Sequence, residues 1–364
     1  MIRLQGVSKS FSGQYAVQDL SLDIASGEFC CLIGPSGCGK TTTLKMINRM
    51  IEPTQGEISI GGQRASDFKP HDLRRRIGYV IQSIGLFPHM NVLENICVVP
   101  RLLKWDQGQA RSRAFALLEL FGLDPKAFSG KKPQELSGGQ AQRIGVARAL
   151  AADPEILLMD EPFGAVDPIV RTNLQQQFIS IQKELQKTIV FVTHDVDEAV
   201  RLGSRIALIK EGRLLQADAP EEILARPRDG FVRDFMGSDR ALKRMSKLTI
   251  REIYRRAHGV SQEAADMDLQ RVSSAEEPGD GRPRLWVVTG DGQLLAGKRA
   301  GGEQARQPGS SMLAPWPEEG VLFPETDLRS ALARFMEQRT DCLPVVDEAH
   351  RLLGEVHLEQ LLGV

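Results

Sequence analysis

The segment GPSGCGKTT (34–42) constrains this chain more than any other. It fits G-x-x-x-x-G-K-[ST], follows the apolar run FCCLI and precedes the helical pattern TTTLKMINRM. Glycine lets consecutive backbone N–H groups converge on phosphate oxygens, and the helix N-terminus adds the positive end of its dipole. Gly34, Gly37 and Gly39 keep the backbone accessible, and Pro35, Ser36, Cys38 and Thr42 complete the loop. Lys40 is placed to reach the β- and γ-phosphates and Thr41 to put its hydroxyl on Mg²⁺. A strand–loop–helix of this kind predicts a nucleoside-triphosphate site.

The surrounding pattern agrees with that expectation. Apolar runs alternate with helical segments as far as residue 237: ILLMDE, then an apolar helical face of Val170, Leu174, Phe178, Ile181 and Leu185, then TIVFVTH, DVDEAVRLG and RIALIKEG. Strands apolar throughout and alternating with helices imply an α/β domain with a buried, mostly parallel sheet. ILLMDE carries Asp160 to the carboxyl end of that sheet, where ligands sit in open α/β folds. Asp160 is expected to hold the magnesium through water, and Glu161 to polarise the attacking water.

A second anion-binding turn occurs at LSGGQ (136–140). Ser137 has the character of a helix cap, and Gly138 and Gly139, with Gln140, leave N–H groups open to a phosphate. Taken alone, Phe11 reads equally as a surface aromatic packed on a sheet, Gln82 as a strand-end polar residue and His194 as a capping histidine. In order with the stronger motifs, the segment 1–237 resembles the ATP-binding cassette family. The resemblance implies ATP and Mg²⁺ as cofactors and a mostly parallel core with antiparallel β and helical subdomains. It also implies a homodimer in which LSGGQ faces the γ-phosphate held by the other copy. Phe11 then stacks on adenine, Gln82 senses the γ-phosphate and joins Thr41 and Asp160 around the metal, Asp167 crosses the dimer, and His194 is the switch histidine. Ala141 departs from the family, which commonly places Gln or Glu there.

Composition decides what such an ATPase can act on. With 46 basic and 47 acidic side chains the net charge is -1, which argues against a nucleic-acid partner. Arg74-Arg75-Arg76 reads as a solvated helix face. No apolar run approaches the ~20 residues of a membrane helix, and no signal-peptide core is evident. The chain is expected to be soluble, to work at the cytoplasmic face of the membrane and to dock there on a separate permease. The five cysteines are too few and scattered for a disulfide framework, and no Cys/His cluster has zinc-site spacing.

Past residue 238 the pattern changes. A charged helical linker (238–262) leads to a repeat in which Leu285, Val287, Val288, Leu294 and Leu295 align with Leu343, Val345, Val346, Leu352 and Leu353. Each copy reads as a hairpin, and the second follows the helical pattern TDLRSALARFMEQ. The two copies, 263–305 and 306–364, resemble a CBS pair, a small α+β regulatory module, with the first copy degenerate. The second ends in Gly354-Glu-Val356-His357-Leu-Glu-Gln360, where nucleotide-binding members carry Gly-x-Val/Ile-Thr/Ser-x-x-Asp, so an adenosine-type ligand is not expected. Packing on the ATPase dimer, or a response to ionic strength, is the other reading.

This tail, with GYVIQSIGLFPHMNVLENI and MDEPFGAVDPIVR, resembles the ATPase subunits of glycine betaine/carnitine/choline importers. That implies a quaternary-amine osmoprotectant as cargo and an extracytoplasmic solute-binding protein in the same system. An importer of amino acids or polyamines has the same build. A non-transport cassette acting on DNA or ribosomes fits less well, because no coiled-coil insertion separates Lys40 from Ser137.

Overall fold

The computed structural model describes residues 1–82, 85–164, 171–172, 174–176, 178–179, 182, 186–257, 259–261, 284–288, 293–299 and 320–362. They fall into two compact units, Met1–Ser238 and Asp239–Val364.

The first unit has two sheets. Strands Ile2–Phe11 (β1), Gln14–Ile24 (β2), Gln55–Ile60 (β4) and Gln63–Arg64 (β5) form one sheet, in the order β2-β1-β4-β5, with antiparallel pairs. The β1–β2 turn is Ser12-Gly13, both with positive φ, as a two-residue hairpin matched to strand twist requires. The second sheet holds Phe29–Ile33 (β3), Ile77–Val80 (β6), Ile156–Asp160 (β7), Thr188–Val192 (β8), Arg205–Lys210 (β9) and Arg213–Asp218 (β10). Its order is β10-β9-β3-β8-β7-β6, parallel except for β10, so the expected parallel core is present.

Burial on both faces explains why these strands lack polar alternation. Cys31, Ile33, Leu157 and Met159 point into one apolar cluster, while Cys30, Leu32, Ile156 and Leu158 point into the other. All five residues of β3, β7 and β8 are buried. Burial also pushes the Cys30 thiol up to about 12, and none of the five cysteines forms a disulfide. Leu174 and Phe178 are buried as their helical spacing implies, with Phe178 edge-on to Phe29 at 5.9 Å. Val170, Ile181 and Leu185 lie outside the described residues. The arginine triplet ends the helix Pro70–Arg76, where cations meet the negative end of its dipole, and Arg76 covers the Phe68 ring.

In the second unit, Gly259–Ser261 (β11), Arg284–Val288 (β12) and Leu294–Arg299 (β13) form a three-stranded sheet, and Cys342–Val346 (β14) pairs antiparallel with Leu352–His357 (β15). The repeat is visible in its irregularities. Val288 pairs with Leu294 after a register shift, and Val346 pairs with Leu352 after another at the aligned position. Gln293 and Arg351, themselves aligned, bridge the two hairpins. The helix Leu328–Gln338 is capped by Asp327, whose carboxylate accepts from the Ser330 N–H, and buries Leu328, Ala331 and Phe335. Met245 and Ile250 share that apolar cluster. Among the described residues no helix is long and apolar enough to cross a membrane.

Candidate functional site

The loop 34–42 leaves β3 and enters the helix Lys40–Ile47. Two glycines are required by close backbone approach. Gly34 has φ 145° and a Cβ there would lie 2.0 Å from the Ile209 carbonyl oxygen; Gly39 has φ 106° and its Cβ would lie 2.4 Å from that of Ala16. Only glycine fits both conditions. The helix has no acidic residue in its first turn and no side chain capping its N-terminus, so its amides remain available to an anion. Ser36 and Gly37 are exposed, while Gly34, Cys38 and Lys40 are buried. The Lys40 ammonium donates to the carbonyls of Gly34 at 2.7 Å and Pro35 at 3.0 Å, and stands 3.7 Å from Cys38 Sγ.

The end of β7 supplies the acidic half. Thr41 Oγ1 donates to Asp160 Oδ1 at 2.8 Å. Burial pushes the Asp160 carboxyl above its ordinary value, and the Thr41 bond and the charges of Lys45 and Lys40 oppose that shift only in part. A buried carboxylate beside a hydroxyl is a pair of hard oxygens suited to Mg²⁺. A folded-state pKa above the unfolded one means that Asp160 loses stability for the fold as pH rises through that folded value. Asp160→Asn keeps the acceptor for Thr41 and removes the charge. It should therefore raise the unfolding temperature of nucleotide-free protein in chelator at neutral pH while lowering ATP hydrolysis, as thermal scans and phosphate release would record.

Glu161 has φ 45°, fixed by its N–H donating to the Val192 carbonyl at 3.0 Å and its carbonyl accepting from Gly164 at 3.1 Å. This turn presents Oε2 to Gln82 Nε2 at 3.2 Å and to His194 Nδ1 at 3.2 Å. Gln82 follows β6 and His194 follows β8, so parallel strands deliver all three to one end of the sheet. His194 is steadied by its neighbours: the Thr193 N–H bonds the Leu32 carbonyl at 3.2 Å, and Asp195 caps the helix Val196–Leu202 by accepting from the Glu198 N–H. The sequence signal for this cap is D-x-x-E at 195–198, ahead of an apolar run.

Ser137 caps the helix Gly138–Leu150 in a reciprocal pair, its Oγ accepting from the Gln140 N–H while its own N–H donates to Gln140 Oε1. The turn is engaged with itself rather than with Lys40, and Ser137 and Gly138 are exposed. Ala141 is buried, where a longer side chain would have to be accommodated. Phe11 ends β1, is 48% exposed and has the Lys9 ammonium 5.0 Å from its ring centroid. Thus one end of the sheet assembles Lys40, Thr41, Asp160, Glu161, Gln82 and His194, while Ser137–Gln140 and Phe11 present open surfaces. Asp167 lies outside the described residues.

Comparison with known proteins follows the same division. Residues 17–164 match the ABC transporter model and residues 317–364 the CBS domain model. The osmoprotectant import ATP-binding protein OsmV of Salmonella typhimurium is 44% identical over 362 residues, covering 98% of this chain and 94% of that protein. The glycine betaine uptake system ATP-binding protein YehX of Escherichia coli K12 is 48% identical over 363 residues, covering 100% and 99%. Among solved structures, a dimeric ATP-binding cassette in a post-hydrolysis state bound to ADP and Pi superposes with a TM-score of 0.55 at 35% identity, over 60% of this chain and 98% of that one. The phosphate loop, the acidic strand end and relatives matched along nearly their whole length make this chain an ATP-hydrolysing member of the ABC transporter family, with a CBS domain at its C-terminal end.

Proposed function

We propose that this chain is the energy-coupling subunit of an importer for quaternary-amine osmoprotectants, working as a homodimer on a separate permease at the cytoplasmic face of the membrane. The similarity to OsmV and YehX carries the substrate class, because it extends through the C-terminal unit as well as the cassette. An extracytoplasmic solute-binding protein completes the system.

In this reading each ATP lies between two copies. Lys40 and the loop amides of one copy hold its phosphates, Phe11 stacks on its adenine, and Ser137 and Gly139 of the other copy meet its γ-phosphate. Thr41, Asp160 and Gln82 would hold Mg²⁺, which neutralises phosphate charge when bound. Glu161 orients and deprotonates the attacking water, and Gln82 and His194 hold its carboxylate in place. Phosphoryl transfer asks the protein mainly for positioning and charge stabilisation, which these contacts supply. Each charge-assisted contact contributes roughly 1.5–3 kcal/mol, so several of them hold the dimer shut until the γ-phosphate leaves.

Uptake of labelled glycine betaine at high osmolarity tests the assignment. A deletion strain should lose uptake, the wild-type gene should restore it, and Glu161→Gln should not. Unchanged glycine betaine uptake with loss of spermidine or amino-acid uptake would overturn the substrate class and leave the ATPase standing.

A further inference from the structure

Strands β14 and β15 bring together three side chains that sequence spacing keeps apart. Cys342 and His357 are direct partners across the antiparallel pair, and Glu355 precedes His357 by two residues, so all three share one face. His357 Nε2 lies 3.2 Å from Glu355 Oε1, and Cys342 Sγ lies 3.8 Å from both His357 Nε2 and Glu355 Oε2. We propose that Cys342, Glu355 and His357 form a binding site for a zinc-type divalent cation.

The spacing is that of a ligand shell. Zinc bonds of about 2.3 Å to sulfur and about 2.0–2.2 Å to nitrogen and oxygen place tetrahedral ligands about 3.3–3.6 Å apart. The separations of His357 Nε2 from Glu355 Oε1 and from Cys342 Sγ, 3.2 and 3.8 Å, lie within a few tenths of an ångström of that, and one ligand atom from each of the three residues lies within 4.8 Å of the others. Trp286, on β12 and 1% exposed, donates its indole N–H to Glu355 Oε2 at 2.6 Å. That bond fixes the carboxylate and leaves Oε1 on the His357 side, the outer contact that commonly aims a ligating carboxylate. Cys342 is buried, whereas the His357 side chain is 34% exposed, which leaves the site open to solvent on that side.

The donor set also selects the ion. A thiolate, an imidazole and one carboxylate suit zinc, while Mg²⁺ and Ca²⁺ prefer oxygen alone, as at Thr41 and Asp160. On binding, the Cys342 thiol releases its proton to solvent and its sulfur bonds the metal with no change of oxidation state. Because Cys342 opens β14 and His357 closes β15, the ion would clip the open end of the hairpin beside the helix Leu358–Leu362.

The full-length chain, stripped with chelator and dialysed against Zn²⁺, should retain one zinc per chain. Co²⁺ in its place should give a thiolate-to-metal charge-transfer band and tetrahedral d–d bands. Cys342→Ala and His357→Ala should abolish both signals. Trp286→Phe should weaken affinity about 10–100-fold, as loss of such an outer contact does. Glu355→Gln keeps an acceptor for Trp286 and removes the anionic ligand, so it decides the matter should the alanine variants not fold. Zinc retained equally by the wild type and Glu355→Gln, or a cobalt spectrum without a thiolate band, would overturn the site.

Discussion

Glu161→Gln should leave ATP bound and the fold intact while lowering hydrolysis about 10²–10⁴-fold, the usual contribution of a positioned general base. The side chains are nearly isosteric, so the positive φ at 161 and the backbone bonds to Val192 and Gly164 are undisturbed. An amide oxygen can still accept from Gln82, as Oε2 does now at 3.2 Å. What it cannot do is take a proton from water. Removing the carboxylate also removes a negative charge beside the γ-phosphate, so ATP affinity should hold or rise. With turnover blocked, the contacts that shut the dimer persist. Gel filtration with Mg·ATP should show a stable dimer absent with ADP, and steady-state phosphate release should show the lost rate. Turnover near the wild-type value would remove Glu161 from its role.

Much of this arrangement is legible in the sequence alone, and the reason is local. The loop at 34–42, the strand carrying Asp160 and the cap at Ser137 are each written in consecutive residues whose backbone geometry follows from glycine content and apolar runs. The parallel core was legible for a related reason: strands such as FCCLI are buried on both faces and cannot alternate. Convergence was harder to read. Nothing in the spacing of Gln82, Glu161 and His194 says that one oxygen of Glu161 meets both of the others; the strand order β3-β8-β7-β6 does that. The same holds more strongly for Cys342, Glu355 and His357. Linear spacing along the chain does not show a zinc site there, because it is hairpin register, with its shift at Val345/Val346, that makes Cys342 face His357. The second copy of the repeat was plain because its helix carries an unbroken apolar face, whereas Pro278, Gly279 and Gly281 interrupt the corresponding pattern in the first.

Lys40→Ala should show the opposite signature to Glu161→Gln, with nucleotide affinity falling and the protein remaining folded. Lys40 is 6% exposed, yet the atoms that meet its ammonium are two carbonyl oxygens and the Cys38 sulfur, with no carboxylate oxygen among these hydrogen-bond partners. Burying a cation on carbonyl acceptors costs desolvation that the charge of the nearby Asp160 carboxylate offsets in part and an incoming phosphate offsets further. Lys40 therefore contributes little to the stability of the empty protein and much to phosphate binding. Loss of one charge-assisted contact of roughly 1.5–3 kcal/mol corresponds to about a 10- to 150-fold weaker Kd for ATP. Hydrolysis then falls through occupancy as well as through lost charge at the γ-phosphate. Titration with a fluorescent ATP analogue measures the affinity, and thermal unfolding without nucleotide measures the fold. An empty protein destabilised by several degrees with unchanged ATP affinity would make Lys40 a structural residue of the loop; an unchanged unfolding temperature with weakened binding makes it the phosphate ligand that its carbonyl hydrogen-bond partners imply.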